Sequence, residues 1–256
     1  MNIFLNLTIE KRDNILDGIT LNEPIDMSIL DKLINSTLLK DKFNDPTCQR
    51  LYTSEKIQLE KYRELIVDGK AIVKYNRVKN FGFGRSDPER SLGLFKIRRE
   101  IRHTLSKNDF EDIDIDNCHP KMFEQILIKN NIECPILQDY INNREAWFDL
   151  VRKAFKIKDL QAVIEDKTLM KDIPKNLFIR LLFGGGVKNW MIKNKINEDL
   201  KVPKKIIEFE KEIETLMKII VSKNPELVEA VKQRKAEQGK TDYNLLGSVA
   251  SFFLQE

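Results

Sequence analysis

The sequence predicts an α+β fold that is predominantly helical and contains a small antiparallel sheet. Three observations support this class: apolar residues at helical spacing before residue 66, two later segments of strand-forming composition, and helical spacing through most of the chain after Pro120. Strands flanked by helical regions, without regular alternation, are typical of α+β proteins. A length of 256 residues suggests one large domain or two interlocked ones.

The elements before Pro120 are predicted in order along the chain. Helical spacing marks residues 27–39 and 54–66, and Ser54 is a candidate N-cap of the second helix. After a turn at Asp68-Gly69, β-branched residues predict a strand in "KAIVKYNRV". Helical spacing returns in "SLGLFKIRREIRHTL", and "FEDIDID" is predicted to be a second strand.

The segments after Pro120 with helical spacing are 120–131, 143–155, 158–166, 173–183, 203–223 and 243–256. The run Gly184-Gly185-Gly186 is expected to end the fourth of these helices.

Composition excludes several classes of protein. The three cysteines, Cys48, Cys118 and Cys134, form no CxxC pair, which argues against a disulfide framework or a thiolate zinc site. No apolar run reaches the roughly 18 residues of a membrane helix, and the N-terminus does not resemble a signal peptide. We therefore expect a soluble, intracellular protein without a membrane partner. A net charge of +4 is compatible with a polyanionic partner.

The segment "EDIDIDNCHP" places three acids at alternate positions. If it is a strand, Asp112, Asp114 and Asp116 share one face, and Ile113 and Ile115 enter the core on the other. Like charges at this spacing repel each other unless a cation such as Mg²⁺ neutralises them. Two interpretations stay open from the residues alone: a solvated strand face and a metal site.

Other metal sites fit this segment poorly. An EF-hand loop starting at Asp112 would have Asn117 where glycine is needed and Phe123 where glutamate is needed. Zinc binding at Cys118 and His119 is disfavoured because adjacent residues rarely ligate one zinc ion.

A second informative stretch is "KDIPKNLFIRLLFGGG". Lys171, Lys175, Ile179 and Phe183 are spaced by four and form one stripe on a helix. Two ammonium groups with an aromatic ring at the end of the stripe suit a triphosphate with its base or sugar. The alternative is an amphipathic helix with solvated lysines.

In this order, the motifs resemble those of family A DNA polymerases and their single-subunit RNA polymerase relatives. Gly84-Arg85, Asp87-Pro88, Leu92 and Ile101-Arg102 fit the family's block before its first catalytic strand. "DIDNCH" resembles the strand "DYSQIE". Lys171, Lys175, Ile179, Phe183 and Gly184 fall on the pattern "R…K…F…YG" of the fingers helix. "NLLGSVAS", from Asn244, resembles the segment that approaches the template. The form of the acidic strand is similar to a branch found in transpovirons and virophages, where the domain precedes a superfamily-3 helicase.

The resemblance implies a right-handed polymerase with palm and fingers. Residues 1–66 would be a thumb-like or accessory region, 67–135 a palm-like part and 136–256 a fingers-like part. It also implies two Mg²⁺ ions, with Asp114 as the catalytic metal ligand and Asp112 beside it, and Lys175 on the triphosphate. The remaining implied nucleotide-binding residues are Lys171, Phe183, Gly184, His119 and Asn117, and the implied nucleic-acid-binding residues are Arg85, Arg99, Arg102 and Asn244.

The expected partners are a DNA template and primer, nucleoside triphosphates and a helicase domain in the same polypeptide. However, a second carboxylate strand of the family, "HDE" or "HDS", does not follow Asn244 in this sequence. We therefore expect the sequence to be a fragment of a longer polymerase or primase. Two alternatives stay open: a catalytically silent nucleic-acid-binding accessory module, and a metal-dependent phosphohydrolase or nuclease that would have no use for the lysine stripe.

Overall fold

A computed structural model describes residues 18–39, 54–76, 86–111, 113 and 115–254. The described chain divides into two compact units, with the boundary between residues 114 and 115. We call residues 18–113 the sheet unit and residues 115–254 the helical unit. Each unit contains buried apolar residues that form its core.

The sheet unit contains short antiparallel strands around one central strand. The strands are β1 (Ile19–Pro24), β2 (Ile66–Val67), β3 (Lys70–Asn76) and β4 (Asp87–Pro88). β1 and β2 pair with opposite edges of β3, and β4 pairs with the end of β3. The turn between β2 and β3 uses Asp68 and Gly69 with φ angles of 50° and 74°. Two consecutive positive φ angles are those of the type I′ hairpin turn.

One face of this sheet is buried. Alternate residues of β3, Ala71 and Val73, are buried and share a core with residues of the helices. These helices are α1 (Met27–Ile34), α2 (Glu55–Arg63) and α3 (Arg99–Ser106).

A buried carboxylate connects several elements of this core by hydrogen bonds. Glu23 accepts hydrogen bonds from the hydroxyls of Tyr62 and Tyr75, both at 2.5 Å, and from the backbone N–H of Leu94 at 3.0 Å. Burial and the neighbouring carboxylate raise the pKa of both tyrosines, so the two hydroxyls stay protonated donors.

The helical unit consists of consecutive helices joined by short connections. In chain order they are α4 (Cys118–Lys129), α5 (Pro135–Asn142), α6 (Arg144–Ala154), α7 (Gln161–Glu165), α8 (Leu169–Leu182), α9 (Val187–Lys193), α10 (Lys204–Lys223), α11 (Pro225–Glu237) and α12 (Leu245–Phe253).

Helix α8 lies at the centre of the helical unit and packs against α6, α7, α9 and α10. The ring of Phe178 is buried among the rings of Tyr140, Trp147, Phe148 and Phe209, at centroid distances of 4.6, 5.6, 6.0 and 5.3 Å. Aromatic pairs at these separations stabilise beyond the area they bury. The cluster therefore fixes which face of α8 points inwards.

The structure confirms the α+β class, the predominance of helix and the small antiparallel sheet. The polymerase-like arrangement of palm and fingers stays a prediction, as does the division at residues 66 and 135. No helix in the described ranges is both long and apolar enough to cross a membrane.

Two expectations for strands were wrong. The first concerns residues 19–24, in the region before residue 66 where the sequence predicted helical and irregular structure without a strand. They form β1 because they pair with residues 70–75 of β3. The second is the acidic strand, since the described residues 110, 111, 113 and 115 are not in a strand. Ile113 and Ile115 are 81% and 62% exposed and do not enter a core. Alternating strand-forming residues do not make a strand without a pairing partner and a buried face.

We predict that Phe178→Ala lowers the free energy of unfolding of the helical unit by about 3–5 kcal/mol, because it leaves a cavity among four rings. The two tryptophans of the chain, Trp147 and Trp190, are both buried in this unit. Tryptophan fluorescence during urea unfolding therefore reports on it. Ile192→Ala, at an exposed position of α9, should change stability by less than about 0.5 kcal/mol. Equal losses in the two variants would contradict the assigned role of Phe178.

Candidate functional site

The lysine stripe lies on one continuous helix. α8 begins at Leu169, four residues earlier than the sequence predicted, so both Lys171 and Lys175 are helical and exposed. Four residues of α-helix span about 6 Å, which places the two ammonium groups in succession along one face. Phe183 follows about 12 Å beyond Lys175 on the same scale, half-buried at the end of the helix.

A proline inside α8 is compensated by neighbouring side chains. Pro174 has no N–H to donate to the carbonyl of Met170, one turn earlier. Arg152 Nε donates to that carbonyl instead, at 3.0 Å. Trp190 Nε1 donates to the carbonyl of Ile173 at 3.1 Å. The Arg152 bond therefore replaces the helical donor that Pro174 lacks.

The helix ends in a Schellman motif. Phe183 is the C-cap and Gly184 follows with φ +71°. The N–H of Gly185 donates to the carbonyl of Arg180 at 2.8 Å, and that of Gly184 donates to Leu181 at 3.0 Å. Glycine is favoured at position 184 because left-handed backbone is strained for most other residues and because an added Cβ would lie 3.0 Å from the backbone nitrogen of Gly247.

The start of α12 is fastened to this end of α8. Asn244 donates from Nδ2 to the carbonyl of Gly184 at 2.5 Å, and its Oδ1 accepts the N–H of Gly247 at 2.9 Å. A Cβ added to Gly247 would lie 2.2 Å from the carbonyl oxygen of Phe183. The backbones of the two helices therefore meet directly, and Asn244 uses both ends of its amide within the protein.

His119 reaches the same place from α4. Asn117, with φ +56°, turns the chain into that helix, and His119 lies in its first turn. The exposed imidazole meets the ring of Phe183 edge-on, with centroids 5.6 Å apart. The structure thus brings together four of the predicted residues: His119, Phe183, Gly184 and Asn244.

The third acid of the acidic segment has a defined partner. Asp116 forms an ion pair with Arg144, the first residue of α6, whose guanidinium lies over the ring of Phe148 at 5.0 Å. The hydrogen bond from Arg144 holds the pKa of Asp116 below its usual range, and Lys121 and Lys171 act in the same direction. Sequence reasoning missed Arg144 because nothing in "NREAWF" distinguishes it from other surface arginines.

The predicted nucleic-acid-binding arginines belong to the sheet unit. Arg99 is exposed at the first position of α3, and Arg102 lies one turn later. Arg102 lines a cleft of about 590 Å³ whose walls also contain the aromatic rings of Tyr75, Phe95 and Phe110. Cations beside aromatic rings are a combination that suits single-stranded nucleic acid.

Three predicted residues, Arg85, Asp112 and Asp114, lie outside the described residues. Within the described ranges, no group of three or more His, Cys, Asp or Glu side chains could hold a metal ion. Asp116, the third acid of this segment, is paired with Arg144. Magnesium binding stays a prediction about Asp112 and Asp114.

Comparison with known proteins gives a similarity to a virophage protein. The chain is 31% identical over 153 residues to "Putative helicase V13" of Sputnik virophage. The match covers 58% of this chain and 18% of the virophage protein, so the chain spans less than a fifth of the length of that relative. No protein-family model and no solved structure matches the chain.

We predict that two substitutions of Asn244 separate its two roles. Asn244→Ala loses both the cap of α12 and the bond to Gly184, and should cost roughly 1.5–2.5 kcal/mol. Asn244→Asp keeps the acceptor for the N–H of Gly247 but loses the donor to Gly184. Hydrogen exchange should show a deprotected Gly247 amide in Asn244→Ala alone, and faster exchange at residues 184–187 in both variants. Unchanged exchange at residues 184–187 in either variant would refute the fastening of α12 to α8.

Proposed function

We propose that this chain is the nucleotide-handling part of a template-directed nucleotidyl transferase, a DNA polymerase or primase domain of a viral or mobile-element replication protein. One observation carries the proposal: a single anchored helix presents Lys171 and Lys175 one turn apart and ends at Phe183, against which His119 packs.

Each residue on this surface has a chemical role in the proposal. Lys175, assisted by Lys171, neutralises the triphosphate and the charge that grows on the departing pyrophosphate. Phe183 and His119 form an aromatic corner for the base or sugar. Because phenylalanine cannot hydrogen-bond a ribose hydroxyl, we expect loose sugar discrimination, which is compatible with primer synthesis.

Asp114, with Asp112, would hold the magnesium ions implied by the family resemblance. When bound, such ions activate the attacking 3′-hydroxyl and stabilise the transferred phosphoryl group. The contribution of the described residues is to bind and orient the triphosphate, which lowers the entropy cost of the reaction.

The similarity to a virophage protein named as a helicase supports a second part of the proposal. Since the chain spans 18% of that protein, we infer that this domain acts beside a helicase domain in one polypeptide. Duplex opening by the helicase would supply the template strand.

The decisive experiment is Mg²⁺-dependent primer extension by the natural polypeptide that contains these residues. We predict that Asp114→Ala abolishes extension and that Lys175→Ala lowers kcat by about 10²- to 10³-fold, the usual loss when a charge-stabilising donor is removed. Lys193→Ala is the matched control, because Lys193 is also an exposed helical lysine but lies outside the stripe.

Extension that is unaffected by both Asp114→Ala and Lys175→Ala would overturn the catalytic assignment. Absence of extension in the unmutated protein, with retained DNA binding, would favour the accessory nucleic-acid-binding module instead. Hydrolysis of nucleic acid without extension would favour a nuclease.

The sheet unit gives an independent prediction about nucleic-acid binding. Arg102→Ala should weaken binding of a primer–template similarly for all sequences, and should lower the slope of log K against log[salt] by about 1, as for one lost phosphate contact. Arg63→Ala is the control, since Arg63 is an exposed arginine of the same unit that is paired with Asp31 at 3.0 Å. An unchanged slope for Arg102→Ala would exclude the proposed phosphate contact.

A further inference from the structure

The ion pair of Asp116 and Arg144 lies in an excess of positive charge. The Asp116 side chain is 74% exposed and contacts the Arg144 guanidinium. Lys121 and Lys171 interact electrostatically with the same carboxylate. Three cations therefore share one carboxylate, and Lys171 is also the first lysine of the α8 stripe.

Arg144 is held in place independently of Asp116. Its side chain is only 14% exposed, and its guanidinium lies over the ring of Phe148 at 5.0 Å. Its Nε is buried and has no hydrogen-bond partner among the described residues. An arginine whose guanidinium is already held by packing can exchange one anion for another at its terminal amino groups without being reordered, which lowers the entropy cost of binding.

Asp116 is held less firmly in this pair than Arg144 is. An exposed carboxylate gains little from an ion pair, typically about 0–1 kcal/mol, because water solvates it well when the pair opens. A polyphosphate brings several charges and more acceptor oxygens to the same cations, and arginine binds phosphate oxygens in a bidentate manner. The cluster thus favours exchange of the resident carboxylate for a phosphate group.

We propose that Arg144, Lys121 and Lys171 form a polyphosphate-binding site and that Asp116 is a built-in counter-ion which the polyphosphate displaces. The inference rests on the proposed function, because it adds Arg144 and Lys121 to the triphosphate surface begun by Lys171. It assigns to Asp116 a role in release and selectivity: only anions that bind better than the carboxylate occupy the site.

The test is a double-mutant cycle with inorganic tripolyphosphate, measured by calorimetry on the 256-residue chain in magnesium-free buffer. Asp116→Asn should tighten binding about 3- to 5-fold, since the competing carboxylate is gone. Arg144→Gln should weaken binding at least about 10-fold, the range for a lost bond to a charged group.

The double variant distinguishes displacement from simple charge removal. If Asp116 competes for Arg144, the gain from Asp116→Asn disappears in the Arg144→Gln background. If Asp116 only adds negative potential, the gain persists and the two effects multiply, which overturns the proposal. Asp31→Asn, which removes an exposed carboxylate from an Asp–Arg pair of the sheet unit, should leave tripolyphosphate binding unchanged.

Two further variants keep the test decisive if Arg144→Gln folds poorly. Arg144→Lys retains the charge but loses the bidentate geometry, and should reduce the gain from Asp116→Asn by at least half. Lys121→Gln, at an exposed position, should weaken tripolyphosphate binding severalfold, and no effect would remove Lys121 from the site.

Failure of this inference and failure of the proposed function give different results. Primer extension that depends on Asp114 and Lys175, with tripolyphosphate binding insensitive to Asp116 and Arg144, would refute the inference alone. The expected binding cycle without any extension would refute the polymerase proposal and leave a polyphosphate site.

Discussion

The buried ring of Phe178 is the contact on which the geometry of the helical unit depends. It lies between rings from α5, α6 and α10, so it fixes the rotation of α8 about its own axis. Because a helix repeats every 3.6 residues, fixing one face inwards also fixes the opposite face outwards. Lys171 and Lys175 lie about 20° and 60° around the helix from Phe178, so they reach solvent at the edge of the buried face that Phe178 fixes. The Arg152 bond satisfies the Met170 carbonyl, which Pro174 leaves without its helical donor.

The far end of α8 is controlled by backbone groups rather than by side-chain packing. Gly184 takes the left-handed conformation that stops the helix, and Gly247 allows α12 to meet the Phe183 carbonyl at a distance that no Cβ would permit. Asn244 closes this arrangement with its amide. A displacement of α12 would therefore shift the backbone of Phe183, which the His119 ring contacts. Backbone contacts of this kind cannot be relieved by rotamer changes. These contacts hold the backbone of Phe183 in place and leave its ring half-buried beside the exposed imidazole of His119.

Sequence reasoning succeeded where local chemistry decides the structure. The spacing of Lys171, Lys175 and Phe183, the glycine stop and the Asp68-Gly69 turn were all predicted, because each depends on residues near in the chain. Sequence reasoning failed where the structure depends on residues that are distant in the chain. Residues 19–24 form a strand because β3 pairs with them, and Ile113 and Ile115 are exposed although their alternation with acids is typical of a strand. Helices α5 and α9 were missed because they are short, at 8 and 7 residues. The 13 residues of α11 bury only Leu227 and Val231, which are too few to give a period. Arg144 contacts Phe148, one helical turn later, and Asp116, which is 28 residues away in the sequence. No local motif predicts the contact with Asp116.

Two carboxylates show how the same ion-forming group serves opposite purposes in this chain. Glu23 is 6% exposed and accepts three hydrogen bonds from two tyrosine hydroxyls and a backbone amide. Removing any one of these donors would leave a buried carboxylate oxygen with one partner fewer and no water to replace it, so the exchange of partners is costly. Asp116 is largely exposed, and its alternative to the Arg144 pair is full hydration. The cost of exchanging its partner is therefore small, while Arg144 stays fixed by the Phe148 ring whichever anion it holds. In the proposed site, Asp116 neutralises part of the positive charge when no ligand is bound. Because Arg144 stays in place, the site can still bind a polyphosphate when Asp116 is displaced.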